Sequence, residues 1–195
     1  MVQRLDRAIV AAIGCFLIAG AATAEDPRLK TRLAATSVAE KSRTLAGLYL
    51  TAKEASSAIR RYPDLLLVDV RFPRVVAEGL PAPVTRNIPI YREVVHRKGE
   101  IDELVEQSLN PEFLSAVEAL ASGRRGKATT VLLICWAGPY SAVAADHLTR
   151  AGFANVYTVI DGTDGTDEPT LPGWRKSGQP WLEEPRPDQI WVAHD

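Results

Sequence analysis

Three short apolar runs, each separated from the next by segments of helical periodicity, constrain the fold of this chain more than any other feature. The runs are Leu65–Val70, Thr130–Cys135 and Asn155–Ile160. Runs of about six mostly apolar residues are typical of strands that are buried on both faces of a sheet. Because helical segments lie between the runs, we predict an α/β fold with a central, mostly parallel sheet and helices on both faces.

Residue types mark the boundaries of three helices. Thr51 and Glu54 match a capping box, which predicts a helix over Ala52–Arg61. The pair Asn110-Pro111 predicts the start of a second helix, because it joins a capping side chain to the proline that first turns favour. A third helix is predicted over Ser141–Arg150.

The remaining segments are expected to be shorter or irregular. Short strands are predicted at residues 48–50 and 85–90. The charged stretch Tyr91–Leu109 is predicted to be a surface insertion with a short helix at Ile101–Gln107. The tail that begins at Trp174 is expected to pack irregularly over the domain.

The first 24 residues have the pattern of a secretory signal peptide. Arg4 and Arg7 precede an apolar run over Ala8–Ala22, and a small-x-small pattern ends at Ala24. We predict cleavage after Ala24 and a periplasmic or secreted protein. An uncleaved anchor is the weaker alternative, because the run is shorter than the roughly 20 residues that a membrane span needs. A lipid anchor at Cys15 is also weaker, because further apolar residues follow it.

Charge, length and cysteine content exclude several classes of function. With 23 Lys and Arg against 24 Asp and Glu, the net charge of −1 offers no basic surface for nucleic acid or for a membrane. The 195 residues fit one domain of common size. Only Cys135 would remain after cleavage, which excludes a disulfide scaffold or a four-thiolate zinc site. His96, His147 and His194 are too scattered for a metal site, so neither a metal nor a cofactor is expected.

The loop that follows the second apolar run is the candidate site. It reads Cys135-Trp136-Ala137-Gly138-Pro139-Tyr140-Ser141 and joins a buried strand to a predicted helix, where parallel sheets bind ligands. Converging N–H groups of the loop and helix would form an anion nest, in which a sulfur ionises more easily. Gly138 permits the turn and Ser141 can cap the helix. The alternative is a buried, inert cysteine.

Further landmarks give this loop a context. In order over roughly residues 46 to 181 they are Leu67-Val68-Asp69-Val70-Arg71, Glu78-Gly79 with Asn87-Ile88-Pro89, Cys135-x-x-Gly138-x-x-Ser141, Gly152-Phe153-x-Asn155-Val156-Tyr157, and Gly162, Trp174, Gly178 and Pro180. Together they resemble the rhodanese (sulfurtransferase) family. The resemblance implies a three-layer α/β domain over residues 45–181, between an N-terminal segment at 25–44 and a tail at 182–195.

The resemblance also implies a mechanism in which Cys135 is the catalytic residue. Its thiolate would attack the outer sulfur of a donor, hold that sulfur as a persulfide and release it to a nucleophilic acceptor. The expected partner is a small sulfur compound or a persulfide-carrying protein. No nucleic acid is expected, and no membrane once the signal peptide is removed.

The loop departs from the family pattern at the residues that would bind the substrate. Where the family usually has arginines, directly after the cysteine and at the fifth position beyond it, this chain has Trp136 and Tyr140. The loss of both cations removes bidentate recognition of a small oxyanion, so weak thiosulfate activity is expected. Pro139 removes one N–H from the nest. A partly apolar, open mouth is therefore predicted, suited to an organic or protein-bound persulfide.

The residues predicted to bind the substrate are Trp136, Ala137, Gly138, Tyr140, Ser141 and Arg71. Arg71 is expected to pair with Glu78 near the site, with a direct substrate contact as the alternative reading. The acidic stretch Asp161–Asp167 is predicted to be a solvated turn rather than a calcium loop, because its spacing lacks the alternating oxygen pattern of such loops.

Two rival functions follow from the same loop. A phosphatase on this fold would need an arginine at the sixth position after the cysteine, which is Ser141 here, so the sequence disfavours that function. A catalytically silent rhodanese-like module, which binds a partner protein or a small anion, is the remaining alternative. The missing arginines favour that module, whereas a cysteine retained at the catalytic position favours the enzyme.

Overall fold

The computed structural model describes residues 25–98 and 102–193. The predicted signal peptide lies outside these residues. Within them the strands are β1 (Tyr49–Leu50), β2 (Leu66–Asp69), β3 (Leu80–Pro81), β4 (Arg86–Asn87), β5 (Tyr91–Lys98), β6 (Asp102–Leu109), β7 (Thr130–Ile134), β8 (Asn155–Val159) and β9 (Trp181–Leu182). The α-helices are α1 (Ala52–Arg61), α2 (Pro73–Val76), α3 (Phe113–Ser122), α4 (Pro139–Arg150) and α5 (Gly173–Lys176).

The predicted parallel sheet is confirmed. Five of the described strands form it in the order β1-β8-β7-β2-β4, and every neighbouring pair is parallel. β7 lies at the centre, and its pairing with β2 runs from Val131 opposite Leu66 to Ile134 opposite Asp69. No helix of the described segments has the length and apolar character needed to cross a bilayer.

Alternating side chains of the central strands build two separate cores. On one face Leu66, Val68, Val131, Leu133 and Cys135 pack with α3 and α4. On the other face the side chains of the intervening residues, such as Leu67 and Leu132, pack with α1 and Trp174. Because side chains of a strand alternate between its faces, the position of Cys135 directly after β7 places it in the core of the α3 and α4 face.

The first predicted helix has the predicted bounds and cap. The Thr51 hydroxyl accepts a hydrogen bond from the Glu54 N–H at 3.3 Å, and the Glu54 carboxylate accepts one from the Thr51 N–H at 2.9 Å. The capping box at the start of α1 is therefore confirmed. Its prediction succeeded because every contact in it lies within four residues of the chain.

The other two helices start at residues different from those predicted. α3 begins at Phe113 rather than directly after Asn110, whose side chain donates to the Pro89 carbonyl at 2.9 Å and thereby holds the chain that follows β4. α4 begins at Pro139, two residues before Ser141, with Gly138 at the N-cap. The proline determines this start, because its fixed φ suits the first position of a helix.

The helix predicted at Ile101–Gln107 is wrong. β5 and β6 instead form an antiparallel ribbon, in which Tyr91 pairs with Leu109 at one end and Lys98 with Asp102 at the other. Tyr91 in the first half and valine residues in both halves suit a strand, and pairing between the two halves overrides the local helical pattern. Of the two predictions for Tyr91–Leu109, only that of a surface insertion remains.

The tail is more regular than expected. β9 pairs with β3, and α5 buries Trp174, whose indole N–H donates to the Pro180 carbonyl at 2.8 Å. Trp191 packs into the core on the α3 and α4 face. The domain limits at residues 45 and 181 stay predictions.

The N-terminal segment is attached to the sheet through Asp26. Its carboxylate accepts hydrogen bonds from the Arg28 guanidinium at 2.8 Å and from the Thr130 hydroxyl at 2.6 Å, and the carboxylate is almost completely buried. The Asp26 N–H donates to the hydroxyl of Tyr157. Burial raises the pKa of Tyr157 to about 12. The hydrogen bonds from Arg28 lower the pKa of Asp26 from its ordinary 3.8 to about 2.

Asp26 is therefore expected to make stability depend on acid pH. Because its folded-state pKa is lowered, its contribution is fully present above about pH 4 and is lost as the pH falls towards 2. Asp26→Asn should reduce the free energy of unfolding at pH 7 by about 2 kcal/mol, with a difference from wild type that shrinks below pH 4. Urea unfolding between pH 7 and pH 2.5 measures this. The exposed Asp167→Asn is the control, and a difference that stays constant with pH would contradict the assignment.

Candidate active site

Gly138 allows the loop after β7 to turn into α4. Its φ is +111°, a region that residues with a side chain rarely adopt. A Cβ atom at this position would lie 2.7 Å from the Ser42 hydroxyl oxygen and 2.8 Å from the Ile160 carbonyl oxygen. The loop therefore packs directly against the N-terminal segment on one side and the end of β8 on the other.

The Cys135 sulfur accepts two hydrogen bonds at this turn. The Gly138 N–H donates to Sγ at 3.2 Å, and the Ser141 hydroxyl donates to Sγ at 3.0 Å. Ser141 therefore does not cap α4 as predicted, because the earlier start of the helix places it at the third helical position, where its hydroxyl donates to the sulfur. Both donors lie at the positive end of the helix dipole, and such donors stabilise negative charge on sulfur.

The chain after β8 holds the loop by its main chain. The Thr163 N–H donates to the Cys135 carbonyl at 2.8 Å, and the Asp164 N–H donates to the Trp136 carbonyl at 3.0 Å. A Cβ atom at Gly162 would collide with both of those carbonyl oxygens. These backbone contacts hold the loop independently of the identity of the Trp136 side chain.

The predicted solvated turn at Asp161–Asp167 is wrong at its start. Asp161 is buried, and its carboxylate accepts hydrogen bonds from the Ala52 N–H at 2.7 Å and the Gly173 N–H at 3.0 Å. Burial raises the pKa of Asp161. The side chain joins the start of α1 to α5 beside the candidate site. In the described ranges, no group of three or more His, Cys, Asp or Glu residues is placed to hold a metal ion.

Four aromatic rings lie where an open mouth was expected. Tyr140 contacts the rings of Trp136, Tyr91 and Phe72, with centroids 5.4, 4.9 and 6.0 Å away, and Trp136 also contacts Phe72 at 5.8 Å. We call these four residues the aromatic cover. Trp136, Tyr140 and Tyr91 pack against the core cluster that contains Cys135.

The expectation of an open mouth is therefore wrong, because Cys135 is only 1% exposed. The physical reason lies in the two substitutions that the sequence already displays. An arginine after the cysteine would keep its charge in water, whereas the rings of Trp136 and Tyr140 gain free energy by packing on the apolar core. Both rings remain half-buried, so their outer surfaces reach solvent.

The ribbon contributes to the cover, which sequence reasoning missed. Tyr91 begins β5, and the Tyr140 hydroxyl donates to the Gln107 side chain of β6 at 2.8 Å. An ion pair at 2.7 Å joins Arg74 of α2 to Glu93 of β5 and holds the base of the ribbon. Phe72 follows the carboxyl end of β2, so the rule that places ligands at that edge of a parallel sheet could have identified it. No local pattern marks Gln107.

Arg71 pairs with Asp69 and not with Glu78. Its guanidinium approaches the Asp69 carboxylate at 2.7 Å and also donates to the Gly79 carbonyl at 3.0 Å. Asp69 is completely buried at the end of β2 and needs a counter-charge, whereas Glu78 is exposed. A direct substrate contact from Arg71, which is itself 3% exposed, stays a prediction.

Ala137 faces a cleft on the outer side of the loop. This cleft has a volume of about 670 Å³ and is lined by both the N-terminal segment and the chain after β8, including Lys41, Ser42, Ile160 and Lys176. Trp136 and Tyr140 instead form part of the aromatic cover. Gly138 and Ser141 donate hydrogen bonds to the Cys135 sulfur. The predicted site residues of the loop are thus divided between two sides of it.

Comparison with known proteins identifies the architecture. No protein-family model matches the chain. The crystal structure of Rv0390 from M. tuberculosis superimposes with a TM-score of 0.50 and 25% identity, over 69% of this chain and 96% of that one. The chain folds as a rhodanese-like domain. This agrees with the central parallel sheet and with the cysteine loop at its carboxyl edge.

Two further likenesses are more partial. The polysulfide-sulfur transferase homodimer of Wolinella succinogenes shares 22% identity with the rhodanese-like domain, with a TM-score of 0.45 over 69% of this chain and 77% of that one. An uncharacterized protein of Rickettsia conorii, RC0915, is 31% identical over 51 residues, which are 26% of this chain. The matched part spans only 40% of that curated relative's length.

The two hydrogen bonds to the sulfur lead to a prediction about thiol reactivity. Ser141→Ala should slow the reaction of Cys135 with iodoacetamide at pH 7 by about tenfold, because the thiolate loses a hydroxyl donor. Peptide mass spectrometry measures the modified fraction over time. Ser115→Ala, on the exposed side of α3, is the control, and equal rates at pH 7 would contradict the role of Ser141.

Proposed function

We propose that this protein is a sulfurtransferase that carries a sulfane sulfur as a persulfide on Cys135. The proposal depends on one observation: the Cys135 sulfur accepts hydrogen bonds from the Gly138 N–H and the Ser141 hydroxyl at the start of α4. These donors would stabilise the thiolate before transfer. The donor substrate would be a thiol persulfide or a thiosulfate-type compound, and the acceptor a nucleophile.

The chemistry balances in two displacement steps. In the first, the Cys135 thiolate attacks the outer sulfur of a persulfide R–S–SH, a new S–S bond forms, and the S–S bond of the donor breaks as R–S⁻ leaves with the electron pair. The proton of the outer sulfur passes to solvent or to the leaving thiolate. In the second, the acceptor attacks the outer sulfur of the Cys135 persulfide and the Cys135 thiolate is released. No external oxidant or reductant is consumed.

The aromatic cover favours an organic or protein-borne persulfide as the donor. Trp136 and Tyr140 present ring surface where a small oxyanion would need a charged fork. Rings contact apolar groups and thioethers well, which suits the carbon chain of an organic persulfide. Access to the sulfur requires the cover to part, and the Tyr140–Gln107 hydrogen bond would have to break for that.

A silent binding module is the second candidate, and the burial of Cys135 favours it. A sulfur that is 1% exposed cannot meet a donor unless the cover moves. In this alternative the thiol is a core residue, and its two hydrogen bonds only satisfy the polar atoms of the turn. For either function we propose export to the periplasm or beyond, on the basis of the signal-like residues 1–24.

Sulfur loading separates the two candidates. After incubation with an organic persulfide, the peptide that contains Cys135 should gain the mass of one sulfur atom, and Cys135→Ser should abolish both this gain and the transfer to an added thiol. Cys15, in chain that retains the first 24 residues, is the internal control for nonspecific loading. Trp136→Ala, which removes part of the cover, should load faster. If neither wild type nor Trp136→Ala gains sulfur, the silent module is correct.

Donor preference should follow the two ring residues. Trp136→Arg combined with Tyr140→Arg is expected to raise the rate with thiosulfate by about tenfold relative to the rate with an organic persulfide, because it supplies two cations to the sulfonate end. Val143→Arg adds a cation on the exposed side of α4 and is the matched control. Steady-state rates with cyanide as acceptor measure the ratio. An unchanged ratio would show that the rings do not select the donor.

A further inference from the structure

A second cleft lies on the opposite face of the sheet from Cys135. It has a volume of about 350 Å³ and is formed between the segment Pro27–Arg32 and helix α1. α1 packs on the core cluster that contains Leu67 and Leu132, whereas Cys135 belongs to the cluster on the α3 and α4 face. Anything bound in this cleft would not reach the sulfur.

The cleft is lined by four cationic residues and one acidic residue. The cations are Arg28, Lys30, Arg32 and Arg61, and the acid is Glu54. The Glu54 carboxylate offsets one of these cations and also accepts hydrogen bonds from the N–H and hydroxyl of Thr51 at the start of α1. The cleft therefore has an excess of positive charge, although the whole chain has a net charge of −1.

Arg28 is a fixed part of the wall. It forms ion pairs at 2.8 Å with both Asp26 and Asp64, so its charge is compensated and its position is set. Its guanidinium also lies 5.0 Å from the centroid of the Tyr62 ring. The Arg61 guanidinium lies 5.4 Å from the same centroid. The Tyr62 ring thus brings two cationic groups to one edge of the cleft.

Apart from Arg28, three cations face the single acid that lines the cleft. Lys30, Arg32 and Arg61 form no ion pair with any residue in the described ranges, and all three are exposed. Lys30 and Arg32 lie on the N-terminal wall, and Arg61 lies on the α1 wall. Like charges that face one another across a concave surface concentrate positive potential between them, which attracts an anion.

We propose that this cleft binds a small anion that carries phosphate groups. Its cations approach from two walls, and a phosphate presents oxygens in several directions, whereas a carboxylate accepts mainly in one plane. The Ser57 hydroxyl also lines the cleft and can donate to a further oxygen. A volume of about 350 Å³ suits a small molecule and not a polymer.

Titration calorimetry with inorganic pyrophosphate tests this proposal. The full chain is titrated at low ionic strength, where screening is weak. Wild type should bind one pyrophosphate, and Arg61→Gln and Lys30→Gln should each weaken binding by about tenfold through loss of a charge-assisted contact. Arg60→Gln is the matched control, because Arg60 is the neighbouring residue on α1, lies outside the cleft and contacts Ser56. Thermal unfolding of each variant checks that it is folded.

The three variants and a comparison with citrate distinguish a specific site from a general attraction to charge. Binding that weakens in Arg61→Gln and Lys30→Gln but not in Arg60→Gln supports the proposal. Absence of binding to wild type, equal weakening by Arg60→Gln, or citrate binding as tightly as pyrophosphate would each overturn it, since these results indicate no site or a general attraction to charge. Sulfur loading of Cys135 should be unchanged in Arg61→Gln, so failure of this proposal is independent of the sulfurtransferase proposal.

Discussion

Side chains alternate between the two faces of β7, and that alternation fixes the position of the sulfur. Val131 and Leu133 point into the core shared with α3 and α4, and Cys135 continues the same row just past the end of the strand. A shift of one residue would turn the thiol to the α1 face, away from Ser141. The pairing of β7 between β2 and β8 therefore determines both the stability of the sheet and the surroundings of the thiol.

Predictions from the sequence succeeded at the capping box, and they failed where contacts between distant segments decide the structure or where the local signal of Pro139 was not used. The capping box of α1 involves residues three apart, and its bounds were correct. The ribbon depends on pairing between two separate segments, so a local helical pattern misled the prediction at Ile101–Gln107. The loop was placed correctly, but Pro139 moved the start of α4 by two residues and thereby changed Ser141 from a cap into a donor to sulfur.

The partner of Arg71 illustrates the same limit in electrostatics. Glu78 was chosen from the family landmarks, yet Asp69 is the buried carboxylate that needs a cation. Asp69 lies within the predicted buried strand, but the sequence does not show that the Arg71 side chain turns back to it. The aromatic cover was not predicted for a similar reason. The sequence shows Trp136 and Tyr140, but it does not show that Phe72 and Tyr91 pack against them and close the surface.

Among the described residues, the ribbon contacts the cysteine loop and the start of α4 through the Tyr140–Gln107 hydrogen bond and the Tyr91–Tyr140 ring contact, while the chain after β8 holds that loop through main-chain hydrogen bonds. Under the proposed sulfur transfer, the sheet would support the loop, and the ribbon would share in selecting the substrate. Chains that lengthen, shorten or delete the ribbon could acquire a different range of sulfur compounds without any change to the scaffold. In such a lineage, specificity would evolve in an appendage, and the reacting centre would be inherited unaltered.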